Sequence, residues 1–475
     1  DTDEAVLLIA ALVSRALAQG HSALPIARIA DLLGELQPDR PSPALPDVVQ
    51  IDAALRDSSW VVVFDPQAPA DTRAAVLVLE ADRVYLRRYH DYELRLAAAL
   101  RARAASIEPM RDDDGWRTAR LRAWFPALRD DPQDAQAAAA RLLPDTRLLL
   151  LGGGPGTGKT TTVARALRHA IEVAVQSGRV APRIALAAPT GKAATRLGEA
   201  LRAAHSIDDA VQDPALAAAL PDTAYTLHRL LGWRSDSTAF RHDAAHPLPF
   251  DLVVVDEASM VDLPLMCKLV EAVAPDATLL LVGDRDQLPS VETGDVLAAL
   301  ADAADAGGVL APHRITLARR WRQSRDSDIA ALADAVRHGD ADAALALLAS
   351  DGVRGLHWQG SPVRDADALP DAHMVSRYRA LQHVATPAHA LVAARELRLL
   401  TALREGASGS QAVNATIARA LQPAGAHSAS LFHGALVIVT RNSHRHGLYN
   451  GDIGIAWRDA EGALQVWFER GSAEG

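Results

Sequence analysis

The chain has 475 residues, 49% of them hydrophobic and 23% charged, and its formal net charge is −10. This composition is that of a globular protein of roughly two to four domains, and the acidic charge excludes a uniformly basic nucleic-acid binder but not a basic groove. The single cysteine excludes an internal disulfide framework, and no apolar run reaches the roughly 18 residues of a membrane span, so we expect a cytoplasmic protein without membrane contact.

Residues 1–125 are predicted to form a separate N-terminal domain of mixed, mainly helical structure. Apolar residues recur at helical spacing over residues 26–33, whereas residues 59–64 predict a strand and residues 75–89 a β-hairpin. No group of side chains in this region has catalytic spacing. We therefore expect it to serve as a scaffold or to dock a partner.

Over residues 126–305, short apolar segments alternate with helical ones. This alternation predicts an α/β domain in which helices cover both faces of a parallel sheet, and loops that bind ligands then lie at the carboxyl ends of the strands. The predicted strands are residues 147–151, 184–188, 252–255 and 279–283.

A second, incomplete α/β domain is predicted over residues 306–435, followed over residues 436–475 by its last strand and the start of a small β-barrel-like element. The predicted elements are strands at residues 314–317, 397–402 and 436–440, helices at residues 327–337 and 341–349, and a hairpin formed by residues 452–457 and 464–469.

The sequence Gly-Gly-Pro-Gly-Thr-Gly-Lys-Thr at residues 153–160 lies between an apolar strand and a helix and matches the GxxxxGK[ST] spacing. Backbone N–H groups can surround phosphate oxygens only where side chains are absent, and the following helix N-terminus adds positive charge. Lys159 is expected to reach the β- and γ-phosphates of ATP, and Thr160 to ligate Mg²⁺. The loop residues predicted to bind ATP are Gly153, Gly154, Pro155, Gly156, Thr157, Gly158, Lys159, Thr160 and Thr161.

Polar residues follow two further predicted strands. Asp256 is expected to hold Mg²⁺, and Glu257 to orient and deprotonate the attacking water. Gln287 follows the strand at residues 279–283 and is expected to sense the γ-phosphate without adding charge. An isolated Asp-Glu pair is more often a solvated loop, but downstream of a phosphate loop it indicates nucleotide hydrolysis.

The segment Ala-Pro-Thr-Gly-Lys-Ala-Ala at residues 188–194 also follows a predicted strand. It is not a second phosphate loop, because Leu186 stands where the leading glycine would be. Thr190 and Lys192 at such a strand end favour contact with a nucleic-acid backbone.

Together these motifs resemble superfamily-1 helicases of the RecD branch, which includes the alpha subunit of exodeoxyribonuclease V. The resemblance covers nearly the whole chain and continues in the motifs at residues 226–232, 256–260, 283–288, 401–406 and 448–454. It implies two RecA-like motor domains and an ATP-dependent 5′→3′ DNA helicase. It also implies RecB-like and RecC-like partner subunits, single-stranded DNA at a duplex end, and a role in double-strand break repair and recombination.

The resemblance assigns further roles to single residues. Gln136 stands where the family reads the adenine edge, although by itself it looks like a surface helix residue. Arg322 matches an arginine that reaches the γ-phosphate across the cleft, although by itself it belongs to a solvated basic run. The residues expected to contact DNA are Thr190, Lys192, His228, Arg404, Arg441 and Asn450.

Three aromatic residues keep two interpretations at this stage. Tyr225 and Tyr449 could stack on DNA bases or could be buried structural tyrosines. His228 could equally be a core histidine.

Two functional hypotheses remain open. The Thr-Val-His-Lys-Ser-Gln-Gly and Thr-Arg-Ala-Arg segments typical of the family do not occur in these 475 residues, and the second carries an arginine that stabilises transition-state charge. The chain is therefore expected to be a helicase or, alternatively, a nucleotide-dependent DNA clamp or assembly subunit with little turnover. A P-loop kinase or small-molecule ATPase is disfavoured because neither explains the motifs near residues 404 and 449–454. No carboxylate cluster outside the ATP site suggests a nuclease.

Overall fold

The computed structural model describes residues 2–29, 31–32, 48–67, 75–105, 115–129, 131, 133–207, 219–221, 223–234, 237, 239–319, 328–350, 352–358, 372–422, 431–441, 443, 445–448 and 450–469. Its contacts divide the chain into two compact units, residues 1–325 and 326–475. Within the described ranges, no helix combines the length and the apolar character needed to cross a membrane.

The N-terminal part of the first unit contains its own four-stranded sheet. The strand order is β1-β4-β3-β2, and β3 and β4 form the predicted antiparallel hairpin. Apolar residues of the first helix, among them Ile9 and Leu12, pack on Leu77 and Val84 of the sheet and form a separate core. The elements are α1 (Thr2–Ala18), β1 (Ala23–Pro25), α2 (Val48–Asp57), β2 (Val61–Val63), β3 (Leu77–Glu80), β4 (Arg83–Leu86) and α3 (Arg87–Ala104).

A six-stranded parallel sheet forms the larger part of the first unit, as the alternating pattern predicts. Its strand order is β10-β5-β9-β8-β6-β7. The central strands are continuous apolar runs because helices cover both of their faces. The strands are β5 (Leu148–Gly153), β6 (Ile184–Ala188), β7 (Ala224–Thr226), β8 (Leu252–Val255), β9 (Thr278–Gly283) and β10 (Arg314–Leu317). The helices are α4 (Gly115–Trp124), α5 (Ala135–Leu142), α6 (Lys159–Gln176), α7 (Gly191–Ile207), α8 (Leu227–Leu231), α9 (Leu263–Ala272) and α10 (Val296–Asp305).

Two segments lie in the parallel-sheet domain although the sequence predicts them to belong to the neighbouring domains. Strand β10, predicted as the first strand of the second domain, pairs in parallel with β5, and buried Leu317 packs beside it in the core of the first sheet. Trp124 and Phe125, predicted to end the N-terminal domain, are buried in the same core.

Helix α3 connects the N-terminal sheet to the parallel-sheet domain through a buried arginine. Arg103 is only 6% exposed. Its guanidinium donates hydrogen bonds to carbonyl oxygens at the end of helix α9, a place where helix carbonyls lack partners of their own. The acceptors are the carbonyls of Val270, Val273, Ala274 and Ala277.

The second unit contains helices and a three-stranded antiparallel sheet of order β11-β12-β13. The hairpin predicted near the end of the chain is confirmed, since β12 and β13 pair in antiparallel register. The elements are α11 (Ile329–Arg337), α12 (Ala341–Ala349), α13 (Ala372–Ala380), α14 (Pro387–Arg395), α15 (Ser410–Leu421), β11 (Leu436–Ile438), β12 (Ile453–Arg458) and β13 (Leu464–Phe468).

Two strand predictions in this unit need correction. Residues 397–402 have irregular backbone, and Leu400 in this segment is 92% exposed, whereas a strand of a covered parallel sheet is buried on both faces. The predicted strand at residues 436–440 forms as β11, but it pairs antiparallel with β12 and so belongs to the terminal β-element.

Candidate nucleotide and DNA site

The phosphate loop has a backbone that requires glycine at two positions. Gly156 and Gly158 have φ angles of 78° and 85°, in the left-handed region that a Cβ atom disfavours. A Cβ atom on Gly153 would lie 2.7 Å from the Thr157 hydroxyl and 3.1 Å from Leu317. The loop therefore turns tightly from the end of β5 into the N-terminus of helix α6. The free N–H groups and the positive dipole of a helix N-terminus favour binding of an anion there.

Two side chains of the phosphate loop donate hydrogen bonds to carbonyl groups of the loop itself. The Thr157 hydroxyl donates to the Gly154 oxygen at 2.8 Å. The Lys159 ammonium donates to the oxygens of Gly153 at 2.5 Å and Gly154 at 3.3 Å. Lys159 thus lies over the loop, where phosphate oxygens would be stronger acceptors for its three hydrogens than neutral carbonyls.

The acidic pair lies at the carboxyl end of β8, opposite the loop. The pKa of Asp256 is raised to about 6, chiefly by burial. The hydrogen bond from the Glu257 N–H lowers this pKa, the Glu257 charge raises it, and the Lys159 charge lowers it. Asp256 accepts the Glu257 N–H at 2.9 Å. Glu257 has φ 52°, a left-handed conformation that is unusual for a residue with a side chain and is enriched at functional sites.

Gln287 is oriented by a buried carboxylate. Asp284 is 4% exposed, and its two oxygens accept the Asp286 N–H at 3.1 Å and the Gln287 side-chain amide at 3.2 Å. These bonds hold the start of the loop that follows β9, which is the loop that brings Gln287 to the cavity.

One cavity of about 660 Å³ collects these groups, a size suited to a nucleotide. Gln136 reaches it from helix α5 and donates to the Thr157 oxygen at 3.3 Å. Gly153, the last residue of β5, is not among the lining residues. The lining residues are Phe125, Pro126, Ala127, Gln136, Gly154, Pro155, Gly156, Thr157, Gly158, Lys159, Thr160, Thr161, Arg165, Asp256, Glu257 and Gln287.

Four lining residues were not anticipated from the sequence: Phe125, Pro126, Ala127 and Arg165. The Arg165 guanidinium carbon lies 5.8 Å from the centre of the Phe125 ring, a cation–π contact at the wall of the cavity. The available signal was the Phe125–Pro126 pair shortly before Gln136. In the described part of the chain, no cluster of three His, Cys, Asp or Glu residues could bind a metal on its own.

The candidate DNA residues of the first unit follow two neighbouring strands. Thr190 accepts the Ala193 N–H at 3.2 Å at the start of helix α7, whose first turn contains Lys192. His228 is exposed on helix α8, and its ring centre lies 5.7 Å from that of Phe240. Since β6 and β7 are parallel neighbours, these residues share the edge of the sheet at which the phosphate loop lies.

The remaining candidates have different surroundings. Tyr225 is half-buried against the core, with the Arg229 guanidinium carbon 5.6 Å from its ring centre, which favours the structural interpretation. The candidates in the second unit are exposed, and they are Arg404, Arg441 and Asn450. Arg322 and Tyr449 lie outside the described residues.

Comparisons with known proteins agree with this architecture. The family described as "RecBCD enzyme subunit RecD, N-terminal domain" matches residues 1–85, and the "AAA domain" family matches residues 136–293. The RecBCD enzyme subunit RecD of Mycolicibacterium smegmatis is 37% identical over 99% of this chain and 79% of its own length. That of Mycobacterium tuberculosis is 38% identical over 98% of this chain and 76% of its own length.

A further relative differs mainly in coverage. The ATP-dependent RecD2 DNA helicase of Deinococcus radiodurans is 31% identical over 82% of this chain but only 46% of its own length. The mycobacterial proteins match nearly all of this chain and about three quarters of themselves, with the phosphate loop and acidic pair inside the matched region. By this extent of similarity, the chain belongs to the RecD family of helicase subunits.

Proposed function

We propose that this chain is the RecD-type motor subunit of a RecBCD-type enzyme, which hydrolyses ATP to move 5′→3′ along single-stranded DNA from a duplex end. Such an activity would serve double-strand break repair and recombination in the cytoplasm. The observation that carries the proposal is the cavity in which the phosphate loop faces Asp256, Glu257 and Gln287.

Binding of ATP would use the loop and the acidic pair in distinct ways. Loop N–H groups and Lys159 would hold the phosphates, while Gln136 and the wall at Phe125 would face the base. The Thr160 hydroxyl and the Asp256 carboxylate would hold Mg²⁺, which supplies charge neutralisation to the phosphates. Asp256 fits this role, since a carboxylate with a raised pKa gains from a nearby cation.

Hydrolysis would depend on Glu257 and Gln287. Glu257 would accept a proton from the attacking water, and Gln287 would donate its amide to the γ-phosphate. Arg322 would add a cation at the same phosphate, which would link hydrolysis to movement between the motor domains.

Contact with DNA would be distributed over both units. Thr190, Lys192 and His228 would contact the strand beside the nucleotide site, and the second unit would add its own exposed groups. The latter are Arg404, Arg441 and Asn450. RecB-like and RecC-like subunits would complete the complex, with the N-terminal domain as docking surface. The similarity of residues 1–85 to RecD N-terminal domains supports this.

The experiment that tests the proposal is ATP hydrolysis by the 475-residue chain with and without single-stranded DNA. We expect single-stranded DNA to stimulate ATP turnover. We expect the Lys159→Ala substitution to abolish this turnover. The chain has three lysines, Lys159, Lys192 and Lys268. Lys268, which lies 5.2 Å from the Phe240 ring and not in the cavity, offers the matched control Lys268→Ala. ATP binding without DNA-stimulated turnover would contradict the motor and would favour a nucleotide-dependent clamp.

The direction of movement needs a second measurement. Displacement of streptavidin from biotin at the 3′ end of a DNA strand, but not from the 5′ end, is expected for 5′→3′ movement. Displacement from the 5′ end alone would refute this polarity.

A further inference from the structure

The loop that carries Gln287 is attached to the N-terminal domain at its far end. The Thr293 hydroxyl donates a hydrogen bond to the Leu17 oxygen at 3.1 Å. The neighbouring Gly294 N–H donates to the Gly20 oxygen at 2.9 Å. Thr293 is 4% exposed, so its hydroxyl is shielded from competing water.

The N-terminal domain presents these two acceptors because of how helix α1 ends. Gly20 has φ 90°, its N–H donates to the Leu17 oxygen at 2.9 Å, and the His21 N–H donates to the Ala16 oxygen at 2.9 Å. This pair of bonds closes the helix in a left-handed glycine turn, the usual way in which a helix C-terminus satisfies its last carbonyls. The turn fixes the carbonyl groups of Leu17 and Gly20 where Thr293 and Gly294 of the parallel-sheet domain donate to them.

Thr293 and Gly294 are also held in place within the parallel-sheet domain. The Thr293 oxygen accepts the Leu263 N–H at 3.0 Å, at the first residue of helix α9. Gly294 has φ 101°, and a Cβ atom there would lie 2.8 Å from the Leu263 Cβ. Backbone of this shape leaves little freedom for Thr293 to move by itself.

Between its two anchored ends, the loop that follows β9 is largely exposed to solvent. Asp284 holds the first end and Thr293 the second, whereas Leu288 and Val291 between them are 87% and 95% exposed. A segment with so few buried contacts takes its position from its ends. The second of those ends is held both by the N-terminal domain and by the start of helix α9.

We propose that Thr293 is a positioning residue for Gln287, through which the end of helix α1 sets how well the nucleotide site distinguishes a γ-phosphate. The inference rests on the proposed role of Gln287 and adds the N-terminal domain as a determinant of that role. Loss of the bonds to α1 would remove one of the two supports of the second anchor and so loosen the position of the Gln287 amide, without any change in the phosphate loop.

The test compares nucleotide affinities, which do not require turnover. We expect Thr293→Val, which removes the hydroxyl and keeps the shape, to weaken binding of a non-hydrolysable ATP analogue by roughly three- to tenfold, the range for one hydrogen bond. Thr293→Val should not change the affinity for ADP. Thr293→Ser, which keeps a hydroxyl, should have the wild-type affinities for both nucleotides. Equal weakening for both nucleotides would overturn the inference, since a merely structural defect has that effect.

A double-mutant cycle with Gln287→Ala separates the inference from the proposed function. If Thr293 acts through Gln287, Thr293→Val has no further effect on analogue binding in the Gln287→Ala background. Additive losses would overturn the positioning role. No change in Gln287→Ala alone would instead refute the proposed role of Gln287.

A perturbation from the other domain gives an independent check. Gly20→Ala strains the left-handed turn, although no atom lies within 4 Å of the added Cβ. We expect the same selective loss of analogue binding, and unchanged selectivity in a variant with the wild-type fold would contradict the inference.

Discussion

Removing the charge of Asp256 should stabilise the protein in the absence of nucleotide. Burial raises the pKa of this carboxyl to about 6 from an ordinary value of 3.8. An acid whose pKa is higher in the folded state destabilises that state when ionised. Asp256→Asn removes the charge and keeps an oxygen that can accept the Glu257 N–H. The variant should therefore be more stable at neutral pH and unable to bind Mg²⁺ with ATP.

The size and pH dependence of the gain follow from the pKa difference. A difference of about two units, at 1.36 kcal/mol each, makes the free energy of unfolding of Asp256→Asn about 3 kcal/mol larger at pH 7.5. Below the unfolded-state pKa both forms are protonated and the gain vanishes. It is about 1 kcal/mol at pH 4.5 and is complete above the folded-state pKa.

Thermal unfolding at pH 4.5 and 7.5, without nucleotide, measures this prediction. Asp251→Asn is a control of opposite sign, because the Arg183 side chain lowers the pKa of Asp251. It should lose stability at both pH values, because a carboxyl with a lowered pKa already stabilises the folded state above its ordinary pKa of 3.8. Mg²⁺ with ATP should stabilise the wild type and not Asp256→Asn. An equal gain at both pH values, or destabilisation by Asp256→Asn, would refute the reasoning.

Three further predictions concern single residues. Arg103→Met should lower the free energy of unfolding by about 3 kcal/mol in urea titrations, because buried carbonyls of helix α9 lose their donor, whereas exposed Arg101→Met should have little effect. Gly153→Ala should lower the melting temperature through its 2.7 Å clash, while Gly154→Ala, with no atom within 4 Å, should not; equal melting temperatures would contradict the loop geometry. Gln136→Ala should reduce the preference for ATP over GTP in competition binding, and an unchanged preference would remove Gln136 from base recognition.

The parallel sheet and its loops were predictable because their signals are local. Strands such as β5 and β8 are unbroken apolar runs, and glycine or carboxylate residues at their ends mark the edge at which ligands bind. The amino-acid sequence alone is therefore enough to assign the phosphate loop and the acidic pair to the same site.

The parts that were missed depend on contacts distant in sequence. Strand β10 is only four residues long, and its pairing with β5 joins segments more than 150 residues apart. Residues 397–402 have the composition of a strand, yet composition does not show whether a partner strand exists. The anchor at Thr293 is likewise visible only once helix α1 is in place.

The most direct test of the account is to separate ATP binding from hydrolysis at Glu257. Glu257→Gln keeps the size of the side chain and removes its basicity. We expect it to bind Mg²⁺-ATP like the wild type, while DNA-stimulated hydrolysis falls by about 10²-fold or more, the contribution of a general base. Wild-type turnover in Glu257→Gln would contradict the assignment of this cavity as the catalytic site of a DNA-dependent motor.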